Sequence, residues 1–218
     1  MPATGRPRRR RLDEAEPAAD RLLAARKSAH LAASEAALMG IEGAAARDYF
    51  AALGRILGPT WSFTHRRRRP PPDPVNALLS FGYTLLTREA VAAVERAGLD
   101  PAVGYLHEMH RGRPSLALDL GEEFRPLIVD HLVIGLCTSG KVTPGGFMTD
   151  DDGVKGCRMD RETLRTFLAA YERRMLTAAH HPSAGRRTSY RNALSWQARQ
   201  LADVIADRTP AYTPTAWR

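Results

Sequence analysis

From Ala18 onward, apolar residues recur at close to helical spacing: Leu22, Leu23, Leu31, Leu38, Ile41, Ala45, Tyr49, Phe50, Leu53 and Ile56. Side chains that return every three or four positions share one face of a helix, so this stretch is expected to be helical. Gly40 and Gly43 are expected to divide it into two helices, and Gly58-Pro59 to end it. The segment 65–74, HRRRRPPPDP, must be a loop, because three consecutive prolines fit neither a helix interior nor a central strand. Asp73-Pro74 then opens a helix, with a carboxylate at the N-cap and proline in the first turn. That helix carries Val75, Leu78, Leu79, Phe81, Tyr83, Leu85 and Leu86. Thr87 is expected to cap a further short helix, with Val91, Val94 and Ala97 on its apolar side and Gly98 as its stop.

Residues 99–113 lack periodicity and hold Pro101, Gly104 and Gly112. Ser115 is expected to cap a long, mostly buried helical stretch to about Thr138, which Pro126 should kink or split. The Gly-, Asp- and Thr-rich segment 140–158 predicts a small hairpin around Asp152-Gly153. Two more helices follow, at about 160–178 and about 187–207, before an irregular tail with Tyr212 and Trp217. Residues 1–16 are rich in Arg, Pro and Glu without apolar periodicity and are expected to form a basic disordered arm. The organisation expected is therefore an arm (1–16), an α-helical domain (17–208) and an irregular tail (209–218). The fold class is mainly α with one small β-hairpin.

Composition adds a partner class. The 218 residues carry a formal net charge of +8, which favours a polyanion, with nucleic acid before an anionic membrane surface. The hydrophobic fraction of 44% is enough for a packed core. Cys137 and Cys157 match no metal-knuckle spacing and cannot form a disulfide framework, so a reduced cytoplasmic setting is expected. No uninterrupted apolar run reaches the roughly 18 residues of a membrane span, and no signal-like apolar region follows the basic start.

Candidate chemistry centres on acidic residues in unusual company. Asp119 and Glu122 are three apart, hence neighbours on one face of a largely apolar helix, where like charges repel unless a cation lies between them. A solvated acidic stripe completed by Glu123 explains the same spacing. His107 and His110 in GYLHEMHRGR are three apart, which excludes the zinc-protease pattern of histidines four apart; a structural role for His107 is as open as ligation. Glu42 sits among small residues between Gly40 and Gly43, as a metal ligand or as a carboxylate favoured at a helix start. Phosphate-cradling loops, dinucleotide fingerprints and nucleophile elbows are absent. An oxygen-rich set with one imidazole suits Mg²⁺ or Mn²⁺ better than structural zinc, and such ions serve phosphodiester chemistry. Arg66, Arg67, Arg68, Arg69, Arg111, Arg113 and Arg125 are candidate phosphate contacts. For Arg125 an ordinary ion pair with Glu122 remains the alternative.

The run RRRRPPPDPVNALLSFGYTLLTREAVAAVERAGLDPAVGYLHEMHRGRPSLALDLGEEFRPLIVD closely resembles the signature of the CRISPR-associated spacer-acquisition integrase, the first Cas protein family. LMGIEGAAARDYF resembles that family's glutamate-bearing helix, and FLAAYERRM, SYRNALSWQARQLADVI and PAYTP fit downstream. The resemblance implies a mainly α catalytic domain that holds Mn²⁺ or Mg²⁺ through Glu42, His107 and Glu122, with Asp119 as the extra carboxylate behind them. It implies integration of short DNA into a repeat array, in which a DNA 3′-hydroxyl attacks a repeat phosphodiester, and nicking of DNA. It also implies partners: DNA, the small ferredoxin-like second Cas protein, and a second copy of the chain as a homodimer. The family's N-terminal β-rich domain, which helps build that dimer, has no counterpart in the 41 residues before Glu42. A non-catalytic DNA-binding remnant of the family is therefore the alternative expectation. Gly121 stands where the family usually has a larger apolar residue, at a cost of about 1 kcal/mol against alanine.

Overall fold

The computed structural model describes residues 6–106, 112–149, 156–181 and 185–215, with side chains described from residue 15. The chain is mainly helical: α1 (Arg6–Ala29), α2 (Glu35–Leu57), α3 (Pro74–Arg96), α4 (Ser115–Glu122), α5 (His131–Thr138), α6 (Arg161–Leu176) and α7 (Tyr190–Ile205). Two small antiparallel pairs accompany them, β1 (Phe147–Thr149) with β2 (Cys157–Met159) and β3 (Ala178–His181) with β4 (Arg186–Ser189). The chain divides into two compact units, Met1–Ala77 with Cys137–Asp160, and Leu78–Leu136 with Arg161–Arg218.

In the first unit α1 and α2 form an antiparallel helical hairpin, tied by Arg21 Nε to Asp48 Oδ1 at 3.0 Å. The break falls at residues 30–34 rather than at Gly40 and Gly43. Ser34 supplies the N-cap, its Oγ accepting from Ala37 N at 3.2 Å, whereas both glycines are carried inside α2. A cap satisfies donors that a helix start leaves orphaned, and this outweighs the modest cost of two interior glycines. Residues 6–16, expected in a disordered arm, are the first turns of α1; Arg, Leu, Glu and Ala favour helix, and Pro17 is accommodated within it. Beyond α2, Gly58 takes a φ of 81° and Trp61 and Phe63 are buried.

The arginine loop is fixed from within by a residue that no sequence pattern singles out. Asn76 is fully buried, and its Oδ1 accepts from Arg66 Nη1 and Arg67 N, each at 2.8 Å. Its Nδ2 donates to His65 O at 3.0 Å and to Asp73 Oδ2 at 2.7 Å. Asp73 caps α3 as expected, accepting from Asn76 N at 2.8 Å. The 140–158 hairpin is present as β1 and β2, while its expected turn at Asp152-Gly153 lies outside the described residues. Gly156, at φ 70°, lets Cys157 N reach Pro71 O at 2.8 Å; an added Cβ would meet Pro70 and Pro71 at 2.8 Å. Cys137 and Cys157 are both buried free thiols, and burial pushes Cys137 up to about 12.

The second unit packs α3 from Leu78 onward with α4 to α7. Leu78, Leu79, Leu86, Val94, Phe124, Ile128, Phe167, Met175 and Leu194 form its core. Thr87 does not start a new helix: its Oγ1 donates to Tyr83 O at 2.8 Å, one turn back, and α3 runs on to Arg96. Gly98, at φ 80°, stops it with paired bonds from Gly98 N to Glu95 O and from Leu99 N to Val94 O. By length and composition alone α3 could cross a membrane, yet Val75, Leu78, Leu79, Leu86 and Val94 are core residues here. Pro126 splits the 115–138 stretch as expected, through a π-helical turn over Pro126–Asp130. Ser115, however, is the buried first residue of α4 rather than its cap. Two side chains hold this turn: Arg174 Nε donates to Leu127 O at 2.9 Å, and Tyr83 Oη donates to Asp130 Oδ1 at 2.6 Å. Arg191 joins α7 to α3 and α6 through Glu89 and Glu172, each at 2.7 Å. The β3–β4 pair is an addition to the expected single hairpin, because AAHH and RRTS show no alternation of apolar and polar residues.

The packing of this unit can be tested at two positions. A Cβ added at Gly82 would lie 2.5 Å from Val129 Cγ1, so Gly82→Ala should destabilise by about 1–3 kcal/mol, read as a lower urea midpoint. A variant as stable as wild type would show that α3 does not approach the π-helical turn this closely. His181 is fully buried, and burial holds its pKa below 6.5, opposed in part by the charge of Glu123. With the folded pKa depressed, the unfolded chain binds more protons, so stability is present above pH 6.5 and declines as pH falls below it. His181→Gln should flatten the urea midpoint between about pH 7.5 and 5.5; an unchanged slope would assign it to other groups.

Candidate functional site

Helix α4 and its C-cap present three carboxylates, and each has different company. Asp119 Oδ2 accepts two backbone donors, Tyr105 N at 2.7 Å and Leu106 N at 3.0 Å. These are the two residues before His107, so Asp119 anchors the chain that leads into the candidate histidine. His107, His110 and Arg111 lie outside the described residues. Glu122 pairs with Arg125 one turn on, and the Arg125 guanidinium lies 4.9 Å from the Tyr83 ring centroid. Of the two sequence alternatives for Arg125, the ion pair is the one formed. The arginine is the more enclosed partner, at 16% side-chain exposure against 39% for Glu122. Gly121 is not required by crowding, since an added Cβ meets nothing within 4 Å.

Glu123 does not complete a solvated stripe. Its carboxylate receives Tyr212 Oη, Gln197 Nε2 at 3.3 Å, and both Thr215 N at 2.8 Å and Thr215 Oγ1 at 2.7 Å. Gln197 Nε2 also donates to Thr213 O at 3.1 Å. The irregular tail is thus pinned to α4 and α7 through one carboxylate. Burial, then the adjacent negative charge of Glu123, raises the Tyr212 hydroxyl well above its ordinary pKa, so it remains a donor. A cavity of about 350 Å³ lies alongside, lined by Leu106, Leu116, Asp119, Leu120 and Tyr212 among others.

In the first unit Glu42 is exposed, mid-helix in α2. The helix-start explanation therefore does not apply, because the macrodipole effect is spent within the first turn. Arg66 is drawn inward to Asn76, while Arg67, Arg68 and Arg69 are exposed. Arg113 is half-buried, and its carbonyl accepts Ser115 N at 2.9 Å. The position of Asn76, three residues after the Asp73 cap, is the one signal that could have found it, since a polar side chain there can reach back past the cap. Among the described residues no group of three or more His, Cys, Asp or Glu is gathered for a metal ion. The ion pair of Glu122 is of a kind worth only about 0–1 kcal/mol, so its half-exposed carboxylate can exchange partners, while the Glu42 carboxylate faces solvent.

These features define a mainly helical protein with an acidic helix end set beside arginine. The chain belongs to the family described as CRISPR associated protein Cas1, whose profile matches residues 3–173. It is 45% identical to a Thermus thermophilus protein named CRISPR-associated endonuclease Cas1 3, over 91% of this chain and 59% of that one. Among solved structures it is similar to a casposase bound to integration product, at a TM-score of 0.73 and 27% identity, covering 82% of this chain and 52% of that chain. It is also similar to a chain of a Cas6-RT-Cas1–Cas2 complex, at a TM-score of 0.82 and 25% identity, over 95% of this chain and 22% of that one. The chain thus spans less than two thirds of the relatives it matches.

Removing the carboxylate that pins the tail should release it. Glu123→Ala is expected to raise hydrogen exchange and protease cleavage at residues 210–215, with α7 still protected. An unchanged exchange pattern would place the tail's anchorage elsewhere.

Proposed function

We propose that this chain is the helical catalytic part of a metal-dependent DNA integrase and endonuclease of CRISPR spacer acquisition. The observation that carries the proposal is the Cas1 family match over residues 3–173, within which Glu42, Asp119 and Glu122 fall on helices α2 and α4. Glu42, His107 and Glu122 are the residues that would hold Mg²⁺ or Mn²⁺. Such an ion, when bound, polarises a scissile phosphate and lowers the pKa of an attacking hydroxyl.

The chain's own groups do the rest. Asp119 positions His107 by holding the backbone of Tyr105 and Leu106. Arg125, kept in place by the Tyr83 ring, is within reach of whatever Glu122 binds and can transfer its hydrogen bonds from the carboxylate to a phosphate oxygen. Arg67, Arg68 and Arg69, on a loop stiffened by Asn76, together with Arg111 and Arg113, contact the DNA backbone without reading sequence. The reaction is attack of a DNA 3′-hydroxyl on a repeat phosphodiester, or of water in nicking; the attacking oxygen loses its proton as the new P–O bond forms, and the P–O bond to the cut strand's 3′-oxygen breaks, that oxygen leaving as a hydroxyl. The relatives' names support the partners proposed: DNA, as in the casposase bound to integration product, and the small second Cas protein, as in the Cas1–Cas2 complexes. A homodimer and a reduced cytoplasmic setting complete the proposal, the latter in keeping with two buried thiols.

Strand transfer and nicking in Mn²⁺ test it. Glu42→Ala, His107→Ala and Glu122→Ala should each lose on the order of 100-fold or more in product, and Asp119→Asn about 10–100-fold as a positioning residue. Equal activity in the wild type and the three alanine variants would refute the assignment. Salt-sensitive DNA binding with no product in any metal would leave the non-catalytic alternative in its place.

A further inference from the structure

A cluster of arginines other than the candidate phosphate contacts lies on α7 and β4. Arg191, Ser195 and Arg199 fall at intervals of four on α7, so they form one stripe, with Asn192 and Trp196 flanking it. Arg186 and Thr188 alternate along β4 and therefore share a strand face. With Arg96 at the end of α3, these residues line an open cavity of about 400 Å³ whose lining contains no carboxylate. That volume is within the ordinary range of binding sites, about 300–1,000 Å³.

The charges are not equivalent. Arg191 is neutralised by Glu89 and Glu172 and serves as scaffold. Arg96, Arg186 and Arg199 make no ion pair among the described residues, and all three are exposed. Arg186 lies 5.4 Å from the centroid of the Trp196 ring, a stack that limits its freedom and keeps its donors available. Arg96 Nη2 is steadied by Ser195 Oγ at 3.3 Å. Three guanidiniums without a carboxylate partner around one cavity give it a positive potential that attracts an anion. Trp196, still 37% exposed, adds an aromatic surface of the kind that accompanies phosphate contacts in nucleic-acid grooves.

From this juxtaposition we infer that Arg96, Arg186 and Arg199, framed by Trp196 and Asn192, form a phosphodiester-binding site for a nucleic-acid strand. Spaced guanidiniums across an open cavity suit consecutive backbone phosphates better than one small anion, and the contacts are sequence-independent. The inference takes DNA as the strand from the proposed function, but it needs no catalysis.

Fluorescence anisotropy of the full chain with a labelled DNA duplex, titrated between about 50 and 300 mM NaCl without divalent metal, is the test. Arg186→Ala/Arg199→Ala should lower the slope of log K against log [salt] by about 1.8, which is about 0.9 for each phosphate left without its guanidinium. Arg186→Lys/Arg199→Lys should keep most of that slope, and a circular dichroism melt checks that both variants fold. Trp196→Phe should remove a DNA-dependent change in tryptophan fluorescence that inorganic phosphate at the same ionic strength does not produce. An unchanged slope in the double alanine variant overturns the site, as does a fluorescence change that phosphate reproduces. A wild type that binds through this site yet forms no product would refute the enzymatic proposal alone.

Discussion

Proline at 126 cannot continue the helix that begins at Ser115, because it lacks the N–H and crowds the preceding turn. The second unit is arranged around that break. Helix α4 ends at Glu122, a π-helical turn follows, and the last acidic residues before the break, Asp119, Glu122 and Glu123, lie where short loops and the tail can reach them. The turn itself has to be satisfied, and Arg174 and Tyr83 do so from α6 and α3. Tyr83 also underlies Arg125, so one aromatic side chain connects the backbone interruption to the ion pair at Glu122. An uninterrupted helix would have carried these carboxylates along a smooth face, without the crevice that lets three neighbours take three roles.

Those roles are set by partners and not by residue type. Two backbone amides make Asp119 an anchor for the segment that precedes His107. Four donors make Glu123 the fastening of the C-terminal tail. Glu122, held by a single arginine at a partly exposed end, is the one whose interactions are cheapest to exchange. A buried, fully satisfied carboxylate resists change, and a half-exposed one with a single side-chain partner does not. This ranking follows from hydrogen-bond accounting alone and does not depend on family membership.

Much of this is legible in the sequence, and what is not shares a cause. The apolar periodicity marks α3, α6 and α7, Asp73-Pro74 marks a cap, and Pro126 marks the break, because each depends on residues adjacent in the chain. The α1–α2 break falls away from Gly40 and Gly43 because the capping bond of Ser34 is a stronger determinant than two tolerated glycines. The β3–β4 pair and the Glu123 network escape the sequence for a different reason. The β3 and β4 segments carry no apolar–polar alternation to mark them, and Glu123 and Tyr212, 89 residues apart, are brought together only by tertiary folding. Asn76 lies between these cases: its distance from Asp73 is readable, its bonds to His65, Arg66 and Arg67 are not.

The arginines show how net charge and function come apart. A charge of +8 suggests a polyanion, yet Arg125 and Arg191 are paired with carboxylates, and the donors of Arg66 and Arg174 are engaged inside the protein. Among the exposed basic side chains are those of the loop at 67–69 and of the α7–β4 cluster. The α7–β4 cluster is complete within the second unit. On the proposed reading, holding a strand through that cluster and reacting at Glu122 draw on different side chains, so loss of one need not entail loss of the other.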